Sequence, residues 1–351
     1  MTEPAIIVQD EEEEAVYLAP QWKLIWWRFK KHRLALLASG LLSIFFIIAL
    51  FPNFLAIHDP SITHGIDSLV GPQRLNNLYR FDPFVYDLDS VRNPDTFALE
   101  HVPNTEVKHP VKFFVRGYEY KLLWLFPTDR HIMGIETKSD KHESLDNRPF
   151  YLLGTDRLGR DMWSRLMYGI RLSLSIGMVG MAISLVVGIV LGGISGYFGG
   201  WLDIVIQRII EFIISIPTLP LWIMLAALVP QDWGIVQVYF AITTIIALLG
   251  WTGMARVVRG RFLSLREEEF ITAARLAGAR EGRIIFRHML PSFMSHIIAS
   301  ITLSVPAVII AETSLSFLGV GLRQPAISLG VMLVEAQNVR SIALSPWLLI
   351  P

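Results

Sequence analysis

Residues 267–291 read EEEFITAARLAGAREGRIIFRHMLP and form a short polar stretch between two long apolar segments. The apolar residues of this stretch recur at helical rather than strand spacing, so it predicts two short helices joined by a turn. We expect the first helix at about Glu268 to Ala277 and the second at about Glu281 to Met289. A break at Gly278 to Gly282 separates them, because glycines punctuate helices.

The first of these helices carries small residues at three- and four-residue intervals, namely Ala273, Ala274, Ala277 and Gly278. Residues at this spacing share one face of a helix. Because that face has no bulky side chain, the backbone of another protein can approach it closely. The stretch therefore suits docking better than catalysis.

The composition is that of a membrane protein. Of the 351 residues, 52% are hydrophobic and only 18% are charged, and the mean hydropathy is +0.46, values too apolar for a soluble domain. The formal net charge is +0 and no nucleic-acid-binding motif is present, so nucleic acid is not an expected partner. The absence of cysteine excludes a disulfide framework, a thiolate metal site and a cysteine nucleophile.

Five apolar runs are long enough to cross a bilayer. The first, residues 34–57, has about 24 residues, which at about 1.5 Å per residue exceeds the roughly 30 Å thickness of a hydrocarbon core. Pro217 and Pro220 predict a kink in the third run. Together the runs predict an all-α integral membrane protein, and the other four are residues 172–197, 204–229, 235–255 and 292–318.

The distribution of charge predicts which ends of these spans are cytoplasmic. Residues 1–33 consist of an acidic tail and an aromatic, basic segment, which predicts a cytoplasmic tail followed by an interfacial anchor. Residues 256–290 contain eight Arg and four Glu. The positive-inside rule places this loop in the cytoplasm, and counting spans from a cytoplasmic N-terminus gives the same side.

Residues 58–153 interrupt the apolar pattern with charged residues, Pro, Asn and Asp, and predict a small α+β extracytoplasmic insert. Within it, residues 111–125 are rich in aromatic and β-branched side chains around Gly117, which predicts a hairpin or two short strands. Six of the nine histidines lie in the insert. Their spacing does not fit a metal site, so no metal is expected.

Residues 151–171 read YLLGTDRLGRDMWSRLMYGIR and join the insert to the second run. Residues 154–156 predict a turn and then a helix N-cap. Met162, Leu166 and Ile170 share one face of a helix. We therefore expect an amphipathic helix that lies on the outer membrane interface.

Two carboxylates, Glu211 and Glu312, lie inside apolar runs. A carboxylate in a membrane helix faces protein or water rather than lipid, so both are candidates for a role in a solute pathway or in helix packing. Arg208, one turn from Glu211, is its nearest expected partner, and a buried ion pair is the simpler interpretation of Glu211.

The spacing within the polar stretch resembles the EAA loop of ABC-importer permeases. The pattern here is Thr272-Ala-Ala, three residues, Gly278, nine residues, His288-Met-Leu290-Pro291, with Thr where that loop has Glu and His where it has Ile. The resemblance implies that the first helix inserts into a groove on a cytoplasmic ATPase subunit, through which ATP binding moves the membrane helices. The coupling residues it implies are Thr272, Ala273, Ala274, Gly278, His288, Leu290 and Pro291.

Residues 153–161, LGTDRLGRD, are similar to the segment that precedes the permease domain in the dipeptide and oligopeptide branch of this family. The two resemblances imply a type I ABC importer transmembrane domain with a permease core over residues 154–351. The family has a sixth span, and residues 346–351 look like only its beginning, so we expect a truncated chain.

The resemblance also implies partners in a bacterial inner membrane: a homologous second permease subunit, cytoplasmic ATP-binding subunits, and an extracytoplasmic solute-binding protein that delivers peptides or related small solutes. The sequence has no Walker A motif, so we expect ATP to bind a partner and this chain to be non-catalytic and without a cofactor of its own. The main alternative is a proton-coupled secondary transporter that uses Glu211 and Glu312. An intramembrane enzyme is a weaker alternative, because no nucleophile and base accompany these carboxylates.

Overall fold

A computed structural model of the chain describes residues 21–77, 82–92, 94, 99–123, 125–135, 150–337, 343 and 345–350. The chain divides into two units, Met1–Leu50 and Phe51–Pro351. The predicted acidic tail, residues 1–20, lies outside the described residues.

The first unit contains helices α1 (Gln21–Lys31) and α2 (Arg33–Leu50). No residue of α2 is buried. A helix that is apolar on every side is suited to lipid, and α2 is long and apolar enough to cross a membrane. It ends at Leu50, before the expected boundary at Ile57, because Pro52 disfavours helical geometry in the residue that precedes it.

The insert of the second unit contains a three-stranded antiparallel sheet in the order β1 (Phe84–Arg92), β2 (Leu99–Leu122) and β3 (Phe126–Ile135). β2 is long enough to pair with β1 over its first half and with β3 over its second half. Between Ile57 and β1, the described residues include one turn of 3₁₀ helix at Gly65–Asp67.

The sheet packs against the chain that follows α2. The short helix α3 (Pro52–Leu55) leads into Ile57, which is buried together with Val85, Val111 and Phe150. This cluster is the core of the insert. It explains why residues 52–57, though apolar, belong to the insert rather than to the first span.

Gly117 does not form the hairpin turn that the sequence predicts there. It lies inside β2, which ends at Leu122, and β3 begins at Phe126. A Cβ at Gly117 would stand 2.5 Å from Cδ2 of His131 on β3, so the glycine permits a close approach between strands. The ring nitrogens of His131 lie 2.9 and 3.1 Å from the carbonyl oxygens of Ala56 and Tyr118.

The rest of the second unit is a bundle of helices. Those long and apolar enough to span a membrane include the second, fourth and last of the predicted runs, now α4, α7 and α11. In chain order the helices are α4 (Met162–Phe198), α5 (Gly200–Ser215), α6 (Thr218–Ala227), α7 (Ile235–Leu265), α8 (Glu269–Leu276), α9 (Glu281–Arg283), α10 (Leu290–Ser292), α11 (Met294–Phe317) and α12 (Leu329–Glu335).

The third predicted run is broken at its prolines. α5 and α6 meet at an angle of 87°, and the extended residue Ile216 directly precedes Pro217. A proline imposes extended geometry on the residue before it, so the break falls where the sequence predicts a kink. By length and composition, the described helices provide four spans, or five if the bent pair crosses the membrane as one.

α4 runs without interruption through the segment that was expected to lie on the membrane interface. Met162, Met167 and Ile170 on this part of α4 are buried in protein, and Met162 packs against Met332 of α12. The expectation of an interfacial helix was therefore wrong. An apolar stripe has the same spacing whether it faces lipid or another part of the chain.

The N-cap of α4 is Asp161 rather than Asp156. The Asp161 carboxylate accepts hydrogen bonds from the amides of Trp163 and Ser164. Asp156 instead closes the preceding turn, where its Oδ1 accepts the amide of Leu158 at 2.8 Å. Both aspartates accept hydrogen bonds from backbone amides that follow them in the chain. Asp161 is the N-cap because α4 begins at the next residue, Met162.

The last described residues pack on the turn that precedes α4. Pro346–Leu349 form one 3₁₀ turn. Leu348 is buried, and the indole nitrogen of Trp347 donates to the carbonyl oxygen of Thr155 at 3.2 Å.

Glycines allow α4 and α7 to pack closely. Gly188, Gly192 and Gly196 lie four residues apart on α4. A Cβ at Gly192 would stand 2.4 Å from the carbonyl oxygen of Ala255, and Cβ atoms at the other two would meet α7 at 2.7 and 2.6 Å. Small residues at such crossings let helix backbones approach each other within a membrane.

Gly192→Val is expected to destabilise the bundle by about 1–3 kcal/mol, because its side chain would overpack the α4–α7 crossing. Gly253→Val is the matched control, since Gly253 also lies in a helix but has no atom within 4 Å of an added Cβ. The measurement is the melting temperature of each detergent-solubilised variant by fluorescence-detected size exclusion. Equal melting temperatures would contradict the close crossing.

Candidate functional site

Both helices predicted in residues 267–291 are present, as α8 and as a second helix that begins with α9. Ile271 is fully buried, and Ala274, three residues later, packs against the same core. These two residues form the inner face of α8.

The outer face of α8 is open. Thr272, Ala273 and Ala277 are exposed, and the side chain of Leu276 protrudes with 85% exposure. Small residues around one protruding leucine can enter a groove on a second protein. Of the small residues expected on the bare face, Ala274 alone turns inward.

Gly278 ends α8 in the left-handed conformation, with φ of +76°. Its amide donates to the carbonyl oxygen of Arg275 at 3.0 Å, and the amide of Ala279 donates to that of Ala274 at 3.1 Å. This pair of bonds is the Schellman arrangement, which satisfies the last carbonyl groups of a helix and favours glycine at this position. An added Cβ would have no neighbour within 4 Å, so Gly278 faces open space.

The second helix widens before its proline. Between α9 and α10, residues Ile284–Met289 form a π-helical segment. Pro291 has no amide hydrogen for the carbonyl group one turn earlier, and a widened turn is one way in which a helix accommodates that gap. His288 and Leu290 are half-buried and Pro291 is exposed, so Leu290, which packs on the core, supports α8 rather than extending its open face.

One apolar core connects α8 to three long helices. Ile271 of α8 shares it with Tyr197 of α4, Phe262 of α7 and Ile297 of α11, and Ile284 of the π-helical segment completes the contact. Protein cores are close-packed and transmit displacement rather than absorb it. A movement of α8 therefore reaches α4, α7 and α11 together.

An ion pair reinforces the same end of the bundle. Arg259 on α7 donates two hydrogen bonds to Asp203 on α5, at 2.5 and 2.6 Å. Ser195, near the end of α4, donates to the same carboxylate. A bidentate pair fixes geometry as well as charge. Sequence reasoning missed it because nothing in the local pattern joins residues so far apart.

Glu211 has the partner that its spacing predicts. Nη1 of Arg208 lies 2.7 Å from Oε2 of Glu211. The pair lies on the surface of the chain rather than inside it, since the two side chains are 78% and 53% exposed.

Glu312 is buried inside the chain, where it joins three elements. Ser173 of α4 donates to its carboxylate at 3.0 Å, and Ser316 of α11 donates at 2.8 Å. Ser173 in turn accepts the amide of Leu329 at the start of α12, at 3.2 Å. This environment fits helix packing better than exposure to a solute pathway.

Replacing Glu312 separates these two roles. Glu312→Ala would leave two serine hydroxyls without an acceptor, and we expect a loss of about 1–3 kcal/mol in stability, whereas Glu312→Gln keeps one acceptor oxygen and should cost less. Melting temperatures of the purified variants and their solute uptake are the measurements. Uptake abolished in a fully stable Glu312→Gln variant would instead assign the carboxylate a proton-transfer role.

A buried ionic cluster holds the far end of α4, and sequence reasoning did not foresee it. Oε1 of Glu335 on α12 accepts from Arg160 at 2.6 Å, from Arg165 at 3.1 Å and from Gln324 at 2.8 Å. Asp156 lies 2.7 Å from Nε of Arg160 and 3.5 Å from that of Arg165. The side chains of both arginines and of Asp156 are at most 8% exposed.

Burial raises the pKa of the Glu335 carboxyl, and the nearby guanidinium of Arg165 opposes that rise. The cluster pairs two cations with two anions, so its charges balance. Its sequence signal was the two aspartates and three arginines of residues 156–165, but the anion that completes it lies on α12, far along the chain.

The described part of the chain contains no group of three His, Cys, Asp or Glu residues that could hold a metal ion. Its apolar helices define a multi-pass membrane protein.

Residues 188–350 match the family described as binding-protein-dependent transport system inner membrane component. Residues 20–74 match the N-terminal TM domain of oligopeptide transport permease C. These two parts of the chain are therefore similar to inner-membrane permeases.

Two relatives agree with these matches. The chain is 42% identical over 179 residues to the dipeptide transport system permease protein DppC of Bacillus subtilis and 35% identical over 209 residues to the oligopeptide transport system permease protein OppC of the same organism. These matches cover 51% and 60% of this chain, and 54% and 65% of those relatives. The chain thus spans little more than half of the first and under two thirds of the second.

A third relative is similar along nearly the whole chain. The peptidoglycan transport system permease protein YejE of Agrobacterium fabrum is 28% identical over 343 residues, which covers 95% of this chain and 87% of that protein.

Proposed function

We propose that the chain is the membrane-spanning subunit of an ATP-driven importer and that α8 docks on a cytoplasmic ATPase. The observation that carries the proposal is the construction of α8, which is anchored by Ile271, open on its outer face and ended at Gly278. A protruding helix of this kind is recognised by a groove on a partner. Because the sequence has no Walker A motif, ATP binding and hydrolysis belong to separate subunits.

The relatives indicate the solute and the remaining partners. The names of DppC and OppC refer to dipeptide and oligopeptide transport, so the proposed solute is a peptide or a related small molecule. The name of the family refers to binding proteins, which supports an extracytoplasmic solute-binding protein as a partner. A second, homologous permease subunit completes the proposed translocation path.

The proposed orientation has the N-terminus in the cytoplasm. Lysines and arginines concentrate in α1 and again in residues 256–290, and positively charged segments remain on the cytoplasmic side. With the bent pair of α5 and α6 counted as one span, both segments lie on the same side, and the insert lies on the opposite side.

The mechanism follows from the core beneath α8. ATP can shift a transporter between two arrangements only by favouring one of them, so the ATPase must hold α8 differently in its two states. The core that joins Ile271 to Tyr197, Phe262 and Ile297 then carries the displacement into α4, α7 and α11. Solute passes between this subunit and its partner permease.

A proton-coupled secondary transporter has less support. Glu312 is engaged by two serine hydroxyls inside the chain, and Glu211 is paired with Arg208. Neither arrangement requires a proton pathway. That alternative also leaves the open face of α8 without a purpose.

The test is purification of the tagged chain from its native membrane in mild detergent, followed by an ATPase assay. We expect a Walker A protein and ATPase activity to copurify. A chain that purifies alone or as a homo-oligomer, without ATPase activity but with proton-driven uptake in liposomes, would overturn the proposal.

A further inference from the structure

The tip of the β2–β3 hairpin is unusually apolar. Residues 121–126 read KLLWLF, whereas hairpin turns are normally built from Gly, Asn, Asp and Pro. The side chains of Leu125 and Phe126 are 74% and 63% exposed, and Leu123 is also exposed, with φ of +49°. A soluble surface would not concentrate large apolar side chains at a protruding turn.

The contacts of β2 with α4 show the direction in which this tip points. The insert core that contains Val111 packs against Trp163 of α4. Further along β2, the hydroxyl of Tyr118 lies 3.4 Å from that of Tyr168. Of these two residues of α4, Tyr168 is closer along the helix than Trp163 to the uncharged run that follows Arg171. β2 therefore runs toward the membrane as it approaches its tip.

The contacts of β2 with the segment after α2 give the same direction. Ile57 shares the insert core with Val111, and the ring of Phe54 lies 6.0 Å from that of Phe114. As β2 advances from Val111 to Phe114, the residues that it contacts in the preceding segment therefore change from Ile57 to Phe54. Residue 54 is the closer of the two, along the chain, to the end of the apolar helix α2.

The length of the strand brings the tip to membrane depth. β2 continues past Tyr118, and at about 3.3 Å per residue Leu123 lies roughly 15 Å beyond it. On α4, the uncharged run begins at Leu172, only about 6 Å along the helix axis from Tyr168 at about 1.5 Å per residue. The tip therefore reaches at least the level at which the apolar run begins.

We propose that Leu123, Leu125 and Phe126 form a lipid anchor, which inserts into the headgroup and acyl-chain boundary of the leaflet on the insert side. Interfacial apolar segments are buried there by about 5–10 Å. Lys121 is exposed beside the tip, where its ammonium group can reach lipid phosphates while its stem lies along apolar surface. The anchor holds the sheet against the membrane and braces the first turns of α4. It rests on the direction of β2 and not on ATP coupling.

The test uses single labels, because the chain has no cysteine. Leu125→Cys and Thr105→Cys carry the same environment-sensitive fluorophore, and Thr105 is exposed on β2 in the direction away from the tip. Each labelled chain, with the subunits that copurify, is placed in nanodiscs whose lipids bear a nitroxide on the acyl chain. Quenching by the nitroxide and by aqueous iodide is compared between the two positions.

The expected result is strong quenching of the label at 125 by the lipid nitroxide with loss of iodide quenching, and the reverse pattern at 105. Iodide quenching of equal strength at both positions would overturn the anchor. A label at 125 that is shielded from iodide but not quenched by the nitroxide would assign the tip to a protein contact and overturn it as well. Copurification of an ATPase bears on neither result, so this test and that of the proposed function fail independently.

Discussion

Gly278→Asp is expected to abolish ATP-coupled uptake while leaving the chain inserted in the membrane. Gly278 ends α8 with φ of +76°, and replacing it disfavours the turn that sets the end of the docking helix. The Cβ itself meets open space, so the chain can still fold. The added carboxylate then stands on the surface that we propose enters a groove of the ATPase, where an unpaired buried charge is costly.

Gly282→Asp is the matched control for this experiment. It adds the same charge at a glycine that also has no atom within 4 Å of an added Cβ, but it lies in α9 and needs no positive φ. We expect it to retain most of the uptake. Uptake at the unmodified rate by Gly278→Asp, measured in cells with equal amounts of membrane-inserted protein, would contradict the role of α8.

Arg165→Met is expected to destabilise the chain by about 3–5 kcal/mol, because it removes one cation from a buried cluster and leaves a carboxylate without full compensation. The side chain of Arg165 is 1% exposed and that of Glu335 is 12% exposed. Arg208→Met is the control, since it breaks an exposed ion pair, and such pairs contribute about 0–1 kcal/mol. Melting temperatures of the purified variants are the measurement.

The Arg165→Met variant should also be more stable at mildly acidic pH than at neutral pH. A carboxyl whose folded-state pKa is raised stabilises the folded chain below its unfolded pKa, and this contribution is lost as the pH rises through the folded pKa. Burial already raises the pKa of Glu335, and Arg165 is the largest opposing influence. We therefore expect a higher melting temperature at about pH 5 than at about pH 7.

A double variant isolates the charge imbalance from any loss of packing. Arg165→Met with Glu335→Gln removes one cation and one anion, and most of the lost stability should return if charge is the cause. A double variant as unstable as Arg165→Met alone would show that the arginine acts through its packing. Equal stability of Arg165→Met and the wild-type chain would contradict the buried cluster.

The sequence predicted those features whose cause is local. The two helices of the polar stretch, the glycine between them and the break at Pro217 all follow from residue types and their spacing. These features need no knowledge of distant partners.

The features that the sequence did not reveal depend on contacts between distant segments. The first turns of α4 carry an apolar stripe that fits lipid and protein equally well, and only the fold shows that Met162 faces α12. Gly117 fits a turn by composition, but it serves the approach of His131. The partner of Arg165 is Glu335, which lies 170 residues away.

Site-specific photo-crosslinking from α8 is the measurement that tests ATPase docking most directly. A photoreactive amino acid is placed at Leu276, which is 85% exposed on α8, or at Leu303, which is 77% exposed on α11, and the complex is irradiated in native membranes. We expect a crosslink to a Walker A protein from position 276 and none from position 303. An ATPase that copurifies with the chain but crosslinks from neither position, or only from 303, would contradict docking through α8.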